Sequence, residues 1–181
     1  MKKHYDGLYE LIKGNLNTPE TQEAKELIKK LGDFRSKGFL SKDQFYAVAM
    51  WKTPRPKNHY LSNSEGKIIG VSKSLLNSKN DDEKINLLMS LKGVSVPVAS
   101  ALLTIINPKN YGIIDIRVWQ LLYLYREVKT KPEGQGFSLK NYKEYLSILR
   151  KYARQFNVGV RDIERVLFFY HKKIQEGRLY K

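Results

Sequence analysis

The sequence contains no cysteine among its 181 residues. That absence excludes disulfide bonds, thiolate zinc sites and cysteine-ligated iron–sulfur clusters. Histidine is also scarce, because only His4, His59 and His171 occur, and they are far apart along the chain. Their spacing matches no metal-binding motif, so we expect no histidine-based metal cluster.

Long apolar runs are missing as well. No stretch approaches the ~20 apolar residues that a membrane-spanning helix needs. The N-terminus begins with basic residues but lacks the apolar segment and cleavage site of a signal peptide. We therefore expect an intracellular protein without a membrane partner.

Acidic residues are few relative to basic ones. The chain has 33 Lys and Arg against 18 Asp and Glu, which gives a formal net charge of +15. This excess of positive charge says little about the fold, but it favours binding to a polyanion such as nucleic acid. A basic protein without any polyanionic partner is the alternative.

Apolar residues recur at helical spacing along most of the chain, and almost nothing alternates as a strand would. The length predicts one domain, residues 1–181, which is long enough to bury a core. We predict an all-α fold of seven to nine helices, with two packed helical lobes and a cleft between them as one possible arrangement. Thr18 and Ser41 are predicted N-caps, and residues 51–60, which contain Pro54 and Pro56, are predicted to be an extended loop.

A helical hairpin is predicted at residues 82–106. One apolar helix ends at Leu91, Gly93 permits a tight turn, and Pro97 suits the first turn of the next helix. The N–H groups that begin this second helix can bind an anion such as a DNA phosphate, with Lys92, Gly93, Val94, Ser95 and Val98 as the contact candidates. A plain αα-hairpin in a helical core is the alternative.

One carboxylate follows the hairpin, in the segment of residues 112–126. Asp115 stands between the apolar residues Ile114 and Ile116. The alternation here resembles a strand, but the spacing of the residues after Val118 favours a helix that begins at Asp115. Asp115 is then an N-cap, a role that is compatible with catalysis because a helix N-terminus helps to keep a carboxylate ionised.

Together these features resemble the helix-hairpin-helix-GPD superfamily of DNA glycosylases. The family pattern is a Leu-x-Gly-Val/Ile-Gly hairpin, a helix of small residues, a loop, and a catalytic Asp followed three residues later by Val. Asp115 lies 18 positions after Pro97, an interval that fits this family. The residues that match are Leu91, Gly93, Val94, Ala99, Asp115 and Val118.

Two departures refine what the resemblance implies. Ser95 replaces the second hairpin glycine, and Pro97 stands where bifunctional members carry a Schiff-base lysine. No lysine occurs between Val94 and Pro108. The resemblance therefore implies a monofunctional enzyme, or one that has lost its activity, that needs no cofactor and lacks the iron–sulfur cluster of some relatives. It also implies a Na⁺ or K⁺ ion at the hairpin, held by the backbone carbonyls of Met89, Leu91 and Val94.

Other residues are candidates for contact with DNA or with a flipped base. The stretch from Trp51 to Tyr60 mixes basic and aromatic side chains, a combination that suits phosphates and base stacking. A structural connector with Trp51 in the core is the alternative. The candidates are Trp51, Arg55, His59, Tyr60, Tyr111 and Arg117.

The sequence thus predicts a monomeric, monofunctional DNA N-glycosylase that acts on double-stranded DNA with Asp115 as its catalytic carboxylate. Such a protein would reside in the cytoplasm at the nucleoid, or in the nucleus of a eukaryote. A DNA-binding protein on the same fold without catalysis is the first alternative. An RNA-binding or ribosome-associated helical protein is the second.

Overall fold

The fold is described by a computed structural model that covers residues 2–177 and Leu179. Eleven helical segments and no strand lie in these residues, so the predicted all-α class is confirmed. The segments are α1 (Leu8–Asn15), α2 (Gln22–Lys30), α3 (Phe34–Lys37), α4 (Lys42–Lys52), α5 (Lys57–Leu61), α6 (Glu65–Asn77), α7 (Asp81–Met89), α8 (Val96–Ile106), α9 (Ile116–Leu124), α10 (Leu139–Phe156) and α11 (Val160–Ile174).

The helix count exceeds the prediction because of α3 and α5, which have four and five residues. The prediction of an extended loop over residues 51–60 was wrong for most of its length. Helix α4 continues to Lys52, and α5 begins directly after Pro56. Proline is tolerated before a first helical turn, where its missing N–H costs no hydrogen bond, so Pro56 permits α5 rather than excluding helix.

The helix starts show which side chains cap them. Ser41 forms the predicted capping box with Gln44 at the start of α4. Thr18 was wrongly predicted as the cap of α2, because its hydroxyl donates to the Asn15 carbonyl instead. Helix α2 starts three residues later, with the Thr21 hydroxyl accepting from the Ala24 N–H at 3.2 Å.

Helix α8 lies at the centre of the core. Nine of its eleven residues are buried. Helices α2, α4 and α7 pack against it, while α9 and α10 pack against α11. The buried apolar side chains of both groups form one cluster. The position of α8 matters for the site, because this helix contacts both α4 and the segment that precedes α9.

None of the helices within residues 2–177 is both long enough and apolar enough to span a bilayer.

Candidate active site

Helices α7 and α8 are joined by a tight turn over residues 90–95. Gly93 takes a left-handed conformation with φ of +83°, which favours glycine because a Cβ atom is strained there. Ser95 is the extended N-cap residue of α8, and within the described chain its side chain makes no capping hydrogen bond. Pro97 lies in the first turn of α8, as the sequence predicted.

The turn is held in place by α5 and by Asn63, which is two residues beyond the end of that helix. Asn63 brackets Lys92, since its Oδ1 accepts from the Lys92 N–H at 2.8 Å and its Nδ2 donates to the Lys92 carbonyl at 3.0 Å. Gly93 packs so closely on α5 that a Cβ atom there would lie 2.9 Å from the Cβ of His59 and 3.0 Å from Tyr60. The turn is therefore a supported surface rather than a free loop.

The five hairpin candidates differ in accessibility. Lys92 and Ser95 are exposed and Gly93 is half-buried, whereas Val94 and Val98 are buried. A phosphate that approaches this turn therefore contacts Lys92, Gly93 and Ser95 first.

The carbonyls predicted to hold a monovalent cation lie around the same turn. The Leu91 carbonyl accepts the Val94 N–H at 3.2 Å. A carbonyl oxygen has two lone pairs, so this bond leaves Leu91 able to ligate an ion. Met89, Leu91 and Val94 are thus chemically suited to Na⁺ or K⁺, and the cation stays a prediction.

Asp115 follows an extended segment whose backbone is fixed on several sides. The Tyr145 hydroxyl donates to the Ile113 carbonyl at 2.6 Å, and the Tyr142 hydroxyl donates to the Gly112 carbonyl. From the opposite side, Ser100 of α8 accepts the Ile114 N–H at 3.1 Å. Because these partners are buried, the position of Asp115 is set by the core.

The Asp115 carboxylate uses its two oxygens differently. Oδ1 caps α9 by accepting the Arg117 N–H at 3.0 Å, which confirms a helix that starts at this residue. Oδ2 accepts from the Lys52 ammonium at 2.8 Å. Burial raises the pKa of Asp115, but Lys52 and the Arg117 amide and guanidinium outweigh it, so the pKa lies below its usual value. The carboxylate is therefore ionised at neutral pH.

Lys52 is the functional candidate that sequence reasoning missed. It is the last residue of α4, and its side chain is 16% exposed against 18% for Asp115. The two residues are separated by 63 positions, and no spacing rule connects them. Only the packing of α4 on α8 brings this amine to the carboxylate.

Arg117 and His171 lie on the far side of Asp115, and each has a buried nitrogen atom without a partner. Within the described residues, Arg117 Nε and His171 Nδ1 make no hydrogen bond. The Arg117 guanidinium lies over the Phe168 ring, and His171 Nε2 is 2.8 Å from the Gln120 side-chain oxygen. Burial and the charge of Arg117 lower the pKa of His171 to about 4, so its imidazole is neutral.

A cavity of about 680 Å³ opens beside these residues, between α9 and the end of α11. Gln120 and His171 contribute polar atoms to its wall, and Tyr123, Val128 and Pro132 contribute apolar surface. Sequence reasoning gave no signal for this cavity.

Of the remaining candidates, Arg55 and His59 are exposed, and His59 contacts the hairpin turn at Gly93. We define these two residues and Lys92 as the basic rim. His59 packs on the hairpin turn, and Arg55 lies in the connection that precedes α5.

Three aromatic candidates are not available on this rim. Tyr60 is fully buried, and its hydroxyl donates to the Thr53 carbonyl, so it links the residue after Lys52 to the hairpin turn. Tyr111 is buried and donates to Asp81 at 2.8 Å. Trp51 is half-buried and lines a shallow pocket together with Glu23, Glu26 and Lys30. The connector alternative therefore suits Trp51 better than contact with DNA.

One comparison with known proteins gives a match. The chain is similar to a DNA glycosylase. The match is to an 8-oxoguanine DNA glycosylase/AP lyase of Korarchaeum cryptofilum, with 25% identity over 130 residues. It covers 71% of this chain and 59% of the relative. No family model and no solved structure matches the chain.

The similarity supports a distant relationship to DNA glycosylases. The match covers less than two thirds of the relative's length. The substrate and activity in the relative's name therefore describe that protein and are not transferred to this chain.

Proposed function

We propose that this protein is a DNA N-glycosylase that acts on double-stranded DNA, with Asp115 as its catalytic carboxylate. The observation that carries the proposal is an ionised carboxylate that is fixed at the N-cap of α9. It is connected to the hairpin turn through Lys52, the adjacent Thr53 and Tyr60. The distant relationship to a named DNA glycosylase supports it.

A glycosylase must first hold the duplex and rotate the target nucleotide out of the stack. Arg55 and Lys92 of the basic rim supply positive charge for the phosphates, and the exposed Ser95 at the start of α8 supplies a helix N-terminus. The formal net charge of +15 favours approach to DNA before any specific contact forms.

The bond from C1′ of deoxyribose to the base breaks through a transition state that resembles an oxocarbenium ion, as in other glycoside hydrolysis. Asp115 would stabilise the positive charge that develops at C1′, because its carboxylate is already ionised and oriented. It can also orient the water molecule that attacks C1′.

We assign the flipped base to the cavity beside Gln120 and His171. Gln120 is five residues after Asp115, so with a rise of 1.5 Å per residue it lies roughly 7 Å further along α9. Gln120 Oε1 already pairs with His171 Nε2, and Gln120 Nε2 donates to the Glu133 carbonyl, so a base edge that enters this cavity would have to replace one of these contacts.

The sequence predicts that the reaction ends after release of the base, since Pro97 occupies the position of the family's Schiff-base lysine. Hydrolysis by Asp115 and water needs no amine, so release of the base is the first part of our proposal. The relative's name includes AP lyase, which makes strand cleavage after base release a separate question for this chain.

The proposal is tested with duplexes that carry 8-oxoguanine, uracil, alkylated purines or mismatches, with 8-oxoguanine first because of the relative's name. Abasic products are detected as breaks after hot alkali. Asp115→Asn should lower base release at least ~100-fold and retain most of the affinity for DNA. Asp82→Asn is the matched control, since Asp82 also pairs with a lysine at 2.8 Å but lies on the surface of α7.

Two results would overturn the assignment. Base release that survives Asp115→Asn would remove this residue from the mechanism. Tight, salt-dependent binding without base release on any duplex would favour the non-catalytic DNA-binding protein instead.

A further inference from the structure

In the proposed hydrolysis, the contact between Lys52 and Asp115 only keeps the carboxylate ionised and in place. Asp115 already has one fixed oxygen through its capping of α9, and hydrolysis needs no amine. Yet the Lys52 Nζ lies 2.8 Å from the other oxygen, at the accessible end of α4. Both side chains retain some exposure, 16% for Lys52 and 18% for Asp115, so neither is fully enclosed in the core.

The position of this amine decides what it can reach. If Asp115 contacts C1′ during base release, any group 2.8 Å from its Oδ2 lies within a few ångströms of the same carbon. Reaction requires an approach of about 3–3.5 Å, which a lysine on its flexible four-carbon stem can make with a small movement. Pro97, in the first turn of α8, has no amine to offer.

Release of the base leaves a deoxyribose whose open-chain form carries an aldehyde at C1′. A lysine amine condenses with a carbonyl to form a Schiff base. We propose that Lys52 attacks C1′ of the abasic sugar, forms a Schiff base there, and so allows this protein to cleave the DNA strand. The inference rests on the proposed function only through the placement of Asp115 at C1′.

The steps balance without any added oxidant, reductant or metal. The Lys52 ammonium loses one proton through Asp115 to water, and its nitrogen adds to the aldehyde carbon. The carbonyl oxygen then leaves as water, giving an iminium ion between Nζ and C1′. The Asp115 carboxylate removes one proton from C2′ and passes it to water. The C3′–O bond then breaks, and its electron pair leaves on the phosphate. One water molecule hydrolyses the imine and regenerates Lys52.

A purely electrostatic role makes a different prediction. If Lys52 only holds Asp115 ionised and in place, arginine can replace it, because a guanidinium keeps the charge and the hydrogen bond. A guanidinium does not form a Schiff base with an aldehyde under these conditions. Lys52→Arg therefore separates the two roles.

The experiment uses the full chain and a duplex with a preformed abasic site, so no glycosylase step is needed. Sodium borohydride reduces a Schiff base to a stable amine, which joins protein and DNA covalently. We expect a covalent adduct with the wild type and only background with Lys52→Arg. Lys42→Arg, at the other end of α4, is the matched control and should retain the adduct.

Peptide mapping locates the bond. A reduced adduct on Lys52 blocks cleavage by trypsin there, and the Arg55–Pro56 bond also resists trypsin. After removal of the DNA, the modified peptide should therefore span residues 43–57. An adduct on any other lysine or on the N-terminal amine would overturn the proposal.

Because the chain has no cysteine, Lys52→Cys introduces a single thiol. Alkylation with 2-bromoethylamine converts it into a side chain that ends in a primary amine. The adduct should be absent in Lys52→Cys and return after alkylation, a recovery that a structural defect would not give. Failure of the alkylated protein to form an adduct, while its thermal unfolding matches the wild type, would count against Lys52.

The outcomes for the two proposals can be told apart. Base release without an adduct at Lys52 would refute this inference and leave the glycosylase proposal standing. An adduct at Lys52 without base release from any duplex would refute the glycosylase proposal and leave Lys52 as the amine of an abasic-site lyase.

Discussion

Replacing Gly93 by alanine tests whether the hairpin turn is as tightly supported as the geometry indicates. The residue has φ of +83°, and an added Cβ atom would meet the Cβ of His59 at 2.9 Å and the Tyr60 ring at 3.0–3.1 Å. Tyr60 is fully buried, so its ring cannot easily withdraw. Either α5 moves away from the turn or the turn changes its conformation.

The magnitude has two parts. A left-handed conformation costs a non-glycine residue about 1 kcal/mol or somewhat more. Overpacking against a buried neighbour costs roughly 1–3 kcal/mol in addition. A total of about 2–4 kcal/mol corresponds to a fall in Tm of roughly 4–16 °C for a chain of this size.

Gly38→Ala is the matched control, because Gly38 has φ of +81° and nothing within 4 Å of the added Cβ atom. It should lose only the conformational part, about 1 kcal/mol. The difference in unfolding free energy between the two variants therefore measures the contact between the turn and α5. Thermal and denaturant unfolding, followed by circular dichroism, give both values.

Affinity for duplex DNA is the second measurement. Gly93→Ala should weaken binding, because it displaces Lys92 and Ser95 relative to Arg55 and His59, whereas Gly38→Ala should not. Equal losses of stability in both variants, together with unchanged DNA affinity in Gly93→Ala, would refute the view that α5 supports a DNA-binding turn.

Three further predictions follow from contacts around the site. Ser100→Ala leaves the buried Ile114 N–H without its acceptor, which should cost about 1–3 kcal/mol in thermal unfolding and slow single-turnover base release by displacing Asp115. Lys92→Ala should reduce the slope of log affinity against log salt by about one, measured by fluorescence anisotropy. His171→Gln should reduce the stability lost between pH 7 and pH 5 by about 2 kcal/mol, because a histidine pKa that folding lowers from 6.5 to about 4 makes stability fall as pH falls through that range.

Controls and contrary outcomes are specific to each of these changes. Ser74→Ala, exposed on α6, should keep the stability of the wild type, and an equal loss there would remove the special role of Ser100. Lys13→Ala, exposed on α1, should keep the salt slope, and an unchanged slope in Lys92→Ala would place the DNA elsewhere. The same pH dependence in His171→Gln and wild type would show that His171 is not buried as a neutral ring.

Local signals in the sequence were sufficient for much of this fold. Helical spacing predicted the all-α class, and the glycine and proline at 93 and 97 predicted a turn and the start of α8. Asp115 was predicted as an N-cap from its place before a helical apolar pattern, and its Oδ1 does accept the Arg117 N–H. Each of these features depends on residues within a few positions of one another.

Features that depend on distant residues could not be predicted in this way. The hydrogen bonds between Asn63 and Lys92 join residues 29 positions apart, and the ion pair of Lys52 with Asp115 joins residues 63 positions apart. Both arise from how helices pack, which spacing rules do not contain. The basic and aromatic composition of residues 51–60 suggested a DNA-binding loop, yet packing buries Tyr60 and turns the end of the stretch into α5.

The position of Lys52 also explains why the lack of a lysine at position 97 is a weak argument for a monofunctional reaction. An amine reacts with C1′ according to where its nitrogen lies, and not according to the helix that carries it. Helix α8 contacts α4 and, through Ser100, also fixes the segment before Asp115. A lysine at the end of α4 therefore reaches the same carboxylate while Pro97 occupies the first turn of α8. Pro97 removes an amine from the hairpin, and the packing of α4 supplies another at Asp115.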